Sequence, residues 1–538
     1  EHGALGLDTA APTRPAEHGA LGLDTAAPTR PAEHGALGLD TAAPTRPAER
    51  VPRAEIERFI RQGELAAEHE AARAGGAVSY ARRLPASIAE HAQALDDALA
   101  RVKVCDPAIG SGAFPVGVMQ EIVRGRLVLN AYLGDGAGRT AYAFKRHAIQ
   151  ESIYGVDVDP SAVDIAKLRL WLSLVVDEED YHSIKPLPNL GYKIVCGNSL
   201  LSVPKDLFNQ HLFARIEELK EQYFVETSRP AKQAQSREID SLIGQLTHAA
   251  GQFDYEVWFS EVFRTQDGFD VVIGNPPYVR QELIREHKPA LKAHFPEVYQ
   301  GTADLYVYFY AKGLRLLRAN GVLVYISSNK FMRAGYGERL RGHLGQKSTL
   351  RTVIDFGDLP VFDATTYPCI LVLTKSVPVD EHRVETLNIS SMEALLRLAE
   401  FTEQSAWAMP QKHYSIAGWT LDQPVVLSLM EKVRGAGQPL RARYAKYSSG
   451  IKTGLNQAFV IDERTRQRLI EADPSCQRVI KRWVQGKDIR RWRVDWGNAY
   501  FILLQNSTDE DAANPWAAAK TEREAAAIFR ATYPAIYD

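Results

Sequence analysis

Two consecutive strand, turn and helix units limit what this 538-residue chain can fold into more than any other feature. The β-type run RVKVC (Arg101–Cys105) passes through a glycine loop, DPAIGSGAF (Asp106–Phe114), into a stretch whose apolar spacing is typical of a helix packed on a sheet. A second strand, Ser152–Val156, is again followed by an amphipathic helix. This alternation predicts a Rossmann-like α/β sheet.

The glycine loop and the end of the second strand carry candidate ligand contacts. Gly110 and Gly112 let the backbone approach a ligand closely, and the helix N-terminus that follows can receive a carboxylate or a phosphate. Asp157, at the end of the second strand, is placed to accept hydrogen bonds from ribose hydroxyls. Asp159 is predicted to cap the next helix instead, because Pro160 suits the first helical position.

A tetrapeptide of unusual chemistry, Asn275-Pro276-Pro277-Tyr278, closes the apolar strand FDVVIG. The Asn275 side chain and the Pro276 backbone each offer a carbonyl to one hydrogen of an amine, while the prolines remove competing N–H donors. Tyr278 supplies an aromatic face on which an extruded base can stack. These residues indicate a transferase that methylates an amino nitrogen on a planar base. The alternative is a proline-rich turn after a strand.

The order of the motifs resembles a known family. DPAIGSGAF, GVDVDP, GNSLL (Gly197–Leu201), GNPPY and VFDATTYPCILVL (Val361–Leu373) follow one another as in gamma-class DNA N6-adenine methyltransferases. The chain is most similar to the methylase and target-recognition part of type IIG restriction-modification enzymes, over residues 50–538. The resemblance implies a Rossmann-like S-adenosylmethionine-dependent methyltransferase sheet with helical insertions, followed by a mixed α/β target-recognition domain.

The resemblance also implies roles for individual residues. S-adenosylmethionine is expected to contact Asp106, Pro107, Ala108, Gly110, Gly112, Phe114, Asp157 and Asn198. The expected catalytic residues are Asn275, Pro276, Pro277 and Tyr278. Phe362 matches the aromatic residue that packs on a flipped adenine opposite Tyr278, although an ordinary core aromatic is the alternative. The implied reaction holds the adenine amine at Asn275 and Pro276 and requires no metal.

A basic stretch near the C-terminus is the candidate DNA-binding region. Between Arg441 and Trp496 there are fourteen Lys or Arg residues against six Asp or Glu, with three tryptophans interleaved. Such a stretch can neutralise phosphates and present planar contacts, although a solvated basic face on a domain with buried tryptophans has the same composition. The resemblance places target recognition here. The predicted DNA contacts are Lys452, Lys487, Arg490, Arg491 and Arg493.

Motif positions and composition predict five regions. Residues 1–48 are three identical copies of EHGALGLDTAAPTRPA, expected to be disordered, and residues 49–100 form a helical lead-in. The methyltransferase domain is expected at 101–376, with a helical insertion at 206–252, a connecting region at 377–435 and the recognition domain at 436–538. An upstream nuclease region, part of the recognition domain and an upstream cofactor motif are expected to belong to a longer polypeptide.

Composition agrees with a soluble cytoplasmic enzyme, and the resemblance implies double-stranded DNA as its partner. No apolar run approaches eighteen residues, which predicts no membrane span. Cys105, Cys196, Cys369 and Cys476 are far apart, without pairing or metal spacing, and are expected to be reduced core thiols. Glu218 and Lys220, inside the insertion, could be mistaken for part of a nuclease motif. An exposed helical face is the preferred interpretation.

Three alternative functions stay open from the sequence alone. A protein-glutamine methyltransferase uses a similar catalytic spelling, but such enzymes are shorter and lack a basic aromatic C-terminal region. An RNA-base methyltransferase would need the same chemistry. A non-catalytic fragment that binds DNA without turning over is the alternative from outside the enzymes.

Overall fold

The computed structural model describes residues 51–74, 84–134, 136, 138–176, 189–201, 210–247, 253–362, 366–438, 440–443, 456–504, 515–516, 519 and 521–538. The predicted repeat region at 1–48 lies outside these residues. The chain divides into two compact units, a first unit that ends at Pro424 and a second unit that begins at Val425. The domain limits predicted from the sequence remain predictions.

Nine strands of the described first unit form one mixed sheet. They are β1 (Val104–Asp106), β2 (Ile153–Asp157), β3 (Ile194–Cys196), β4 (Phe269–Gly274), β5 (Leu317–Ser328), β6 (Thr349–Asp355), β7 (Pro368–Thr374), β8 (Arg383–Asn388) and β9 (Trp407–Pro410). The order across the sheet is β3-β2-β1-β4-β5-β7-β6-β8-β9. Strands β1 to β5 are parallel, and β7 runs antiparallel to both of its neighbours. The predicted Rossmann-like α/β fold is confirmed.

Helices cover the sheet and connect its strands. They are α1 (Arg53–Ala74), α2 (Ala86–Glu90), α3 (Ala92–Arg101), α4 (Ala113–Leu133), α5 (Ala141–Glu151), α6 (Pro160–Val175), α7 (Gln210–Val225), α8 (Arg229–Thr247), α9 (Tyr255–Trp258), α10 (Ser260–Gln266), α11 (Lys288–His294), α12 (Tyr306–Leu316), α13 (Glu338–Lys347), α14 (Met392–Leu396) and α15 (Leu398–Ser405). Helices α1, α2 and α3 lie between Arg53 and Arg101. Arg101 ends α3 rather than beginning a strand.

The two predicted strand, turn and helix units share one apolar core. Val104 of β1 and Ile153 of β2 pack with Met119 of α4 and with Ala166 and Leu170 of α6, all 2% exposed or less. Burial of this kind contributes about 25 cal/mol for each Å² of apolar surface removed from water. The core therefore holds β1 and β2 in register and brings the loops that follow them to the same edge of the sheet.

The helical insertion forms a hairpin of α7 and α8, as predicted. Phe213, Ile216 and Leu219 of α7 pack against Ile239 and Ile243 of α8. This cluster has the helical spacing from which the hairpin was inferred, because apolar residues three or four apart lie on one face of a helix.

The expectation of an exposed face at Glu218 and Lys220 is wrong for the lysine. Glu218 is exposed, but the Lys220 side chain is only 9% exposed and forms an ion pair with Glu261 at 3.1 Å. Lys193 contacts the same carboxylate at 3.3 Å. Because a buried ammonium group needs an anionic partner, this cluster is structural, and the short Glu-x-Lys spelling has no nuclease role here.

The second unit is a small α/β assembly. Its strands are β10 (Val460–Asp462), β11 (Ile480–Arg482), β12 (Ile489–Arg490), β13 (Arg493–Val494) and β14 (Ala499–Ile502), and its helices are α16 (Pro424–Ala436), α17 (Leu440–Arg443), α18 (Asn456–Phe459), α19 (Glu463–Ala472), α20 (Glu522–Thr532) and α21 (Pro534–Tyr537). Strands β10, β14 and β11 form one antiparallel sheet, and β12 pairs with β13 as a separate hairpin. The predicted mixed α/β class of this region is confirmed.

The cysteines depart from the prediction at one position. Cys105, Cys369 and Cys476 are buried free thiols, whereas Cys196 is free and exposed, so it is not a core residue. Cys196 ends the edge strand β3, where a side chain has no neighbouring strand on one side.

Among the helices of the described residues, none combines the length and the apolar character needed to cross a membrane.

Candidate active site

The loop after β1 is shaped by two glycines and by the end of β2. Gly110 and Gly112 have φ angles of +50° and +81°, a region that favours glycine. A β-carbon on Gly112 would lie 3.1 Å from the Ala166 backbone, so a larger residue would push α6 away. The Gly110 N–H donates to the Asp157 carboxylate at 2.8 Å. The first loop is thereby held against the end of the second strand.

Asp157 organises two backbone segments at once. One carboxylate oxygen accepts from Gly110, and the other accepts from the Asp159 N–H at 3.0 Å. Each oxygen keeps a lone pair, so the carboxylate can still accept from a hydroxyl group. Asp159 accepts from the Ser161 N–H at 2.9 Å and precedes Pro160 at the start of α6, which confirms its predicted capping role.

The loop after β3 completes this edge. The Asn198 side-chain oxygen accepts from the backbone N–H groups of Leu200 and Leu201 at 3.0 and 3.1 Å. The Ser199 hydroxyl donates to the Pro107 carbonyl at 2.6 Å and accepts from the Tyr255 hydroxyl at 3.0 Å. The loops after β1 and β3 are therefore tied together directly.

Asp106, the last residue of β1, is a buried carboxylic acid with unused hydrogen-bonding capacity. It is 1% exposed; one oxygen accepts from the Ala108 N–H at 3.0 Å, and the other has no partner among the described residues. Burial raises the pKa of Asp106 to about 7; the Ala108 N–H opposes this rise and the nearby Asp157 charge adds to it. A bound cation would favour the charged form.

Strand β4 ends at Gly274, which lies beside the Asp106 carboxylate. A β-carbon on Gly274 would lie 2.6 Å from an Asp106 carboxylate oxygen, so only glycine fits here. The next residue, Asn275, is therefore held close to the loop after β1. Its side-chain oxygen is buried and has no hydrogen-bond partner among the described residues. An unsatisfied buried acceptor is unfavourable in the free protein and suits a donor brought by a ligand.

Aromatic side chains surround Tyr278. Its ring lies 6.3 Å from that of Tyr306 and 6.4 Å from that of Phe362, both in edge-to-face geometry. Burial raises the pKa of the Tyr278 hydroxyl, which is also buried without a partner among the described residues. The structure thus brings Tyr278 and Phe362 together as the sequence predicted, but with their rings in mutual contact. A base held between them requires one ring to turn.

A cavity of about 540 Å³, which we call the loop cavity, lies among these loops. Its volume is within the usual range for small-molecule sites. It is lined by the predicted site residues Pro107, Ala108, Asp157, Asn198, Asn275 and Pro277, and also by Val158, Gly197, Ser199, Leu200, Leu201, Val279, Leu283, Ile284, His287, Leu291, Leu305 and Phe309. Asp106, Gly110, Gly112, Pro276, Tyr278 and Phe362 are not among the lining residues.

Two parts of this lining were missed from the sequence. Leu305 and Phe309 come from DLYVYFY (Asp304–Tyr310), an apolar run that predicts a buried helix. Helix α12 is indeed almost entirely buried, yet it also forms one wall of the cavity. Val279, Leu283 and His287 belong to the segment after the tetrapeptide, for which no sequence signal was recognised.

Phe114 lies on a different cavity. This second cavity, of about 560 Å³, is lined mainly by apolar side chains of α1, α3 and α4, such as Phe59 and Leu99. The unpartnered oxygens of Asp106 and Asn275 are not on its wall. Contact between Phe114 and a cofactor stays a prediction.

The predicted DNA contacts of the second unit are exposed where they are described. Lys487, Arg490, Arg491 and Arg493 are all exposed, and Lys452 lies outside the described residues. Asp495 contacts Arg490 at 3.5 Å and Arg493 at 3.0 Å.

The fold and the loop cavity together define a class of protein. Strands β3-β2-β1-β4-β5 are parallel, and the loop cavity lies at the carboxyl ends of β1 to β4, where open α/β sheets bind their ligands. Residues 151–362 match the family described as Eco57I restriction-modification methylase. The resemblance to restriction-modification methylases is confirmed over this segment.

Individual proteins show the same likeness. The type II methyltransferase M.PaeR7I of Pseudomonas aeruginosa is 28% identical over 241 residues, which cover 42% of this chain and 40% of that protein. The type II restriction enzyme and methyltransferase RM.Eco57I of Escherichia coli is 26% identical over 288 residues, 51% of this chain and 24% of that one. The chain therefore spans less than half the length of these curated relatives.

Solved structures also resemble the chain at low sequence identity. The type IIL restriction-modification enzyme MmeI, solved in complex with DNA, is 14% identical with a TM-score of 0.46, over 89% of this chain and 53% of that chain.

Proposed function

We propose that this chain transfers a methyl group from S-adenosylmethionine to the N6 amine of adenine in a specific DNA sequence, as the modification part of a restriction-modification system. One observation carries the proposal. Asn275, whose side-chain oxygen is buried without a partner among the described residues, lines the same cavity as Asp157 and Asn198, so a site for an amine adjoins the loops suited to a nucleotide-like cofactor.

The residues of the loop cavity fit S-adenosylmethionine. Asp157 has lone pairs left for the ribose hydroxyls, and Leu305 and Phe309 offer apolar surface to an adenine ring. Asp106 does not line the cavity but directly precedes the lining residue Pro107, and its unpartnered oxygen suits the cationic amino-acid end. When bound, the cofactor supplies an electrophilic methyl group to the site.

Residues of the chain would hold and orient the substrate base. Asn275 and the Pro276 carbonyl accept the two amine hydrogens, which draws the nitrogen lone pair out of conjugation and fixes its direction. Tyr278 and Phe362 take the flipped base against their faces once one ring turns. The Tyr278 hydroxyl stays protonated, because burial raises its pKa.

The function is tested by tritiated methyl transfer to duplex DNA, RNA and protein in parallel. We expect label in duplex DNA alone, and digestion of that DNA should release labelled N6-methyladenine. Label in protein would identify a glutamine methyltransferase, and label in RNA an RNA-base methyltransferase. DNA binding without any labelled product would favour the non-catalytic fragment.

DNA binding by the second unit is expected to depend on its exposed arginines. Replacing Arg490, Arg491 and Arg493 by alanine should flatten the salt dependence of binding, since each lost phosphate contact lowers the log–log slope by roughly 0.9. Asp495→Asn should act in the opposite direction, because this carboxylate contacts Arg490 and Arg493. The measurement is duplex binding by anisotropy across a salt series.

A matched control removes exposed arginines of the first unit, Arg53 and Arg101, which pair with carboxylates on their own helices. Their loss should leave the slope unchanged. If the triple variant of the second unit also keeps the wild-type slope, these arginines face solvent and bind no phosphate.

A further inference from the structure

A short hairpin projects a tryptophan from the second unit. Strands β12 and β13 pair Ile489 with Val494 and Arg490 with Arg493, which leaves Arg491 and Trp492 as the two-residue turn. Trp492 is 92% exposed. By contrast, Trp483 stacks on Phe501 and Trp496 lies edge-on to Tyr500, so the other two tryptophans of this region pack within the unit.

The backbone of Trp492 is unfavourable for an aromatic residue. Its φ is +70°, whereas the other non-glycine residues with positive φ in the described chain are Asp267, Asn320 and Asn498. Aspartate and asparagine tolerate this region, but a bulky side chain there is strained, and turns of this kind usually carry glycine or asparagine. The strain is not offset by burial. Packing within the unit does not explain an exposed and strained aromatic residue, and residues of this kind cluster at functional sites.

The base of the hairpin is firmly anchored. The Gln485 N–H donates to the Asp488 carboxylate at 2.8 Å, and the Asp495 N–H donates to the Asp488 carbonyl at 2.7 Å. The Asp495 carboxylate contacts Arg490 and Arg493, one on each strand. The turn is therefore presented on a fixed support, and little conformational entropy is lost when the tip meets a partner.

We propose that this hairpin tip enters duplex DNA and that the indole ring of Trp492 stacks against a base, with Arg490, Arg491 and Arg493 on the flanking phosphates. The proposal rests on the proposed function, because it takes DNA as the partner. A planar ring among cations suits a polyanion that carries flat groups, and apolar wedges of this kind unstack base steps. The hairpin would thus respond to how easily the DNA duplex deforms as well as to the charge of its phosphates.

Fluorescence provides the direct test, with Trp492→Phe as the matched variant. The chain has eight tryptophans, and Trp492 alone among those of the second unit's basic region is almost fully exposed. Short duplexes of random sequence should quench its red-edge emission. Heparin, a polyanion without bases, should not. Trp492→Phe should abolish the duplex-dependent quenching while it keeps most of the affinity, because phenylalanine can also stack.

Affinity and stability complete the test. Trp492→Ala should weaken duplex binding roughly 5- to 150-fold, the loss expected for one base stack, and leave the salt slope unchanged. Trp492→Gly should bind as weakly but raise the melting temperature, because glycine relieves the positive-φ strain. A lower melting temperature for Trp492→Gly would assign the ring a folding role and overturn the proposal.

The outcomes separate this proposal from the proposed function. Undiminished quenching in Trp492→Phe, or wild-type affinity in Trp492→Ala, would overturn the stacking role while DNA methylation by the same variants still stood. A wild-type chain that neither binds nor methylates duplex DNA would overturn both.

Discussion

Methyl transfer to DNA is expected to fall at least about 100-fold when Asn275 is replaced by alanine, whereas affinity for S-adenosylmethionine should change only a few-fold. Removing one preorganised hydrogen-bonding group from an active site typically lowers turnover by about 10²–10³. The Asn275 oxygen has no partner among the described residues, so its loss breaks no described contact. Single-turnover kinetics and calorimetry with the cofactor measure the two quantities separately.

Thermal stability distinguishes this role from that of a turn residue. Because a buried acceptor without a partner is unfavourable, Asn275→Ala should leave the melting temperature unchanged or raise it. Asn198→Ala is the matched control, since the Asn198 oxygen accepts two backbone hydrogen bonds and its loss should lower the melting temperature. An Asn275→Ala protein that keeps most of its turnover would remove this residue from the catalytic mechanism.

Affinity for S-adenosylmethionine is expected to weaken as the pH falls below about 7, because Asp106 has a pKa of about 7 in the free protein. A cationic cofactor end beside the loop after β1 favours the carboxylate, so binding below that pH must first release a proton. The loss approaches tenfold for each pH unit. Titration calorimetry in buffers of different ionisation enthalpy should show proton release, and Asp106→Asn should abolish both effects.

The same acid makes an opposite prediction for stability. The pKa of Asp106 in the folded protein lies above the ordinary value of 3.8. The contribution of Asp106 to stability is therefore complete below pH 3.8 and is lost as the pH rises through about 7. Asp106→Asn keeps an oxygen for the Ala108 N–H and should raise the melting temperature of the free protein more at pH 8 than at pH 5. Asp97→Asn, a control at a half-exposed position on α3, should alter neither profile. Unchanged cofactor affinity across pH in the wild type would show that Asp106 senses no bound cation.

Local patterns predicted the parts of the fold that depend on nearby residues. The apolar runs before Asp106, Asp157 and Asn275 gave three parallel strands, and the glycines and prolines after them gave the loops. Contacts that join distant segments could not be predicted in the same way. The burial of Lys220 depends on Glu261, more than forty residues away, and the position of β7 between β5 and β6 follows from pairing rather than from sequence order.

The polar residues of the candidate site were predictable from motifs. The residues that only line the cavity wall were less predictable. Asn275 and Asp157 are polar residues at strand ends, which is an informative place in an α/β sheet. Leu283 and His287 line the cavity from a segment with short turns and no regular period, so no pattern identified them. The positive φ and the exposure of Trp492 are properties of the folded hairpin, and composition does not record them.

The contact between Gly274 and Asp106 means that the two halves of the site cannot be exchanged independently. A chimaera with a new tetrapeptide at 275–278 and any residue other than glycine at position 274 would displace Asp106, since a β-carbon would lie 2.6 Å from its carboxylate oxygen. Anyone recombining such enzymes should therefore move the glycine with the tetrapeptide, and should choose crossover points in the strands rather than in the loops. The smallest segment that can be exchanged as a unit is therefore Gly274 together with residues 275–278.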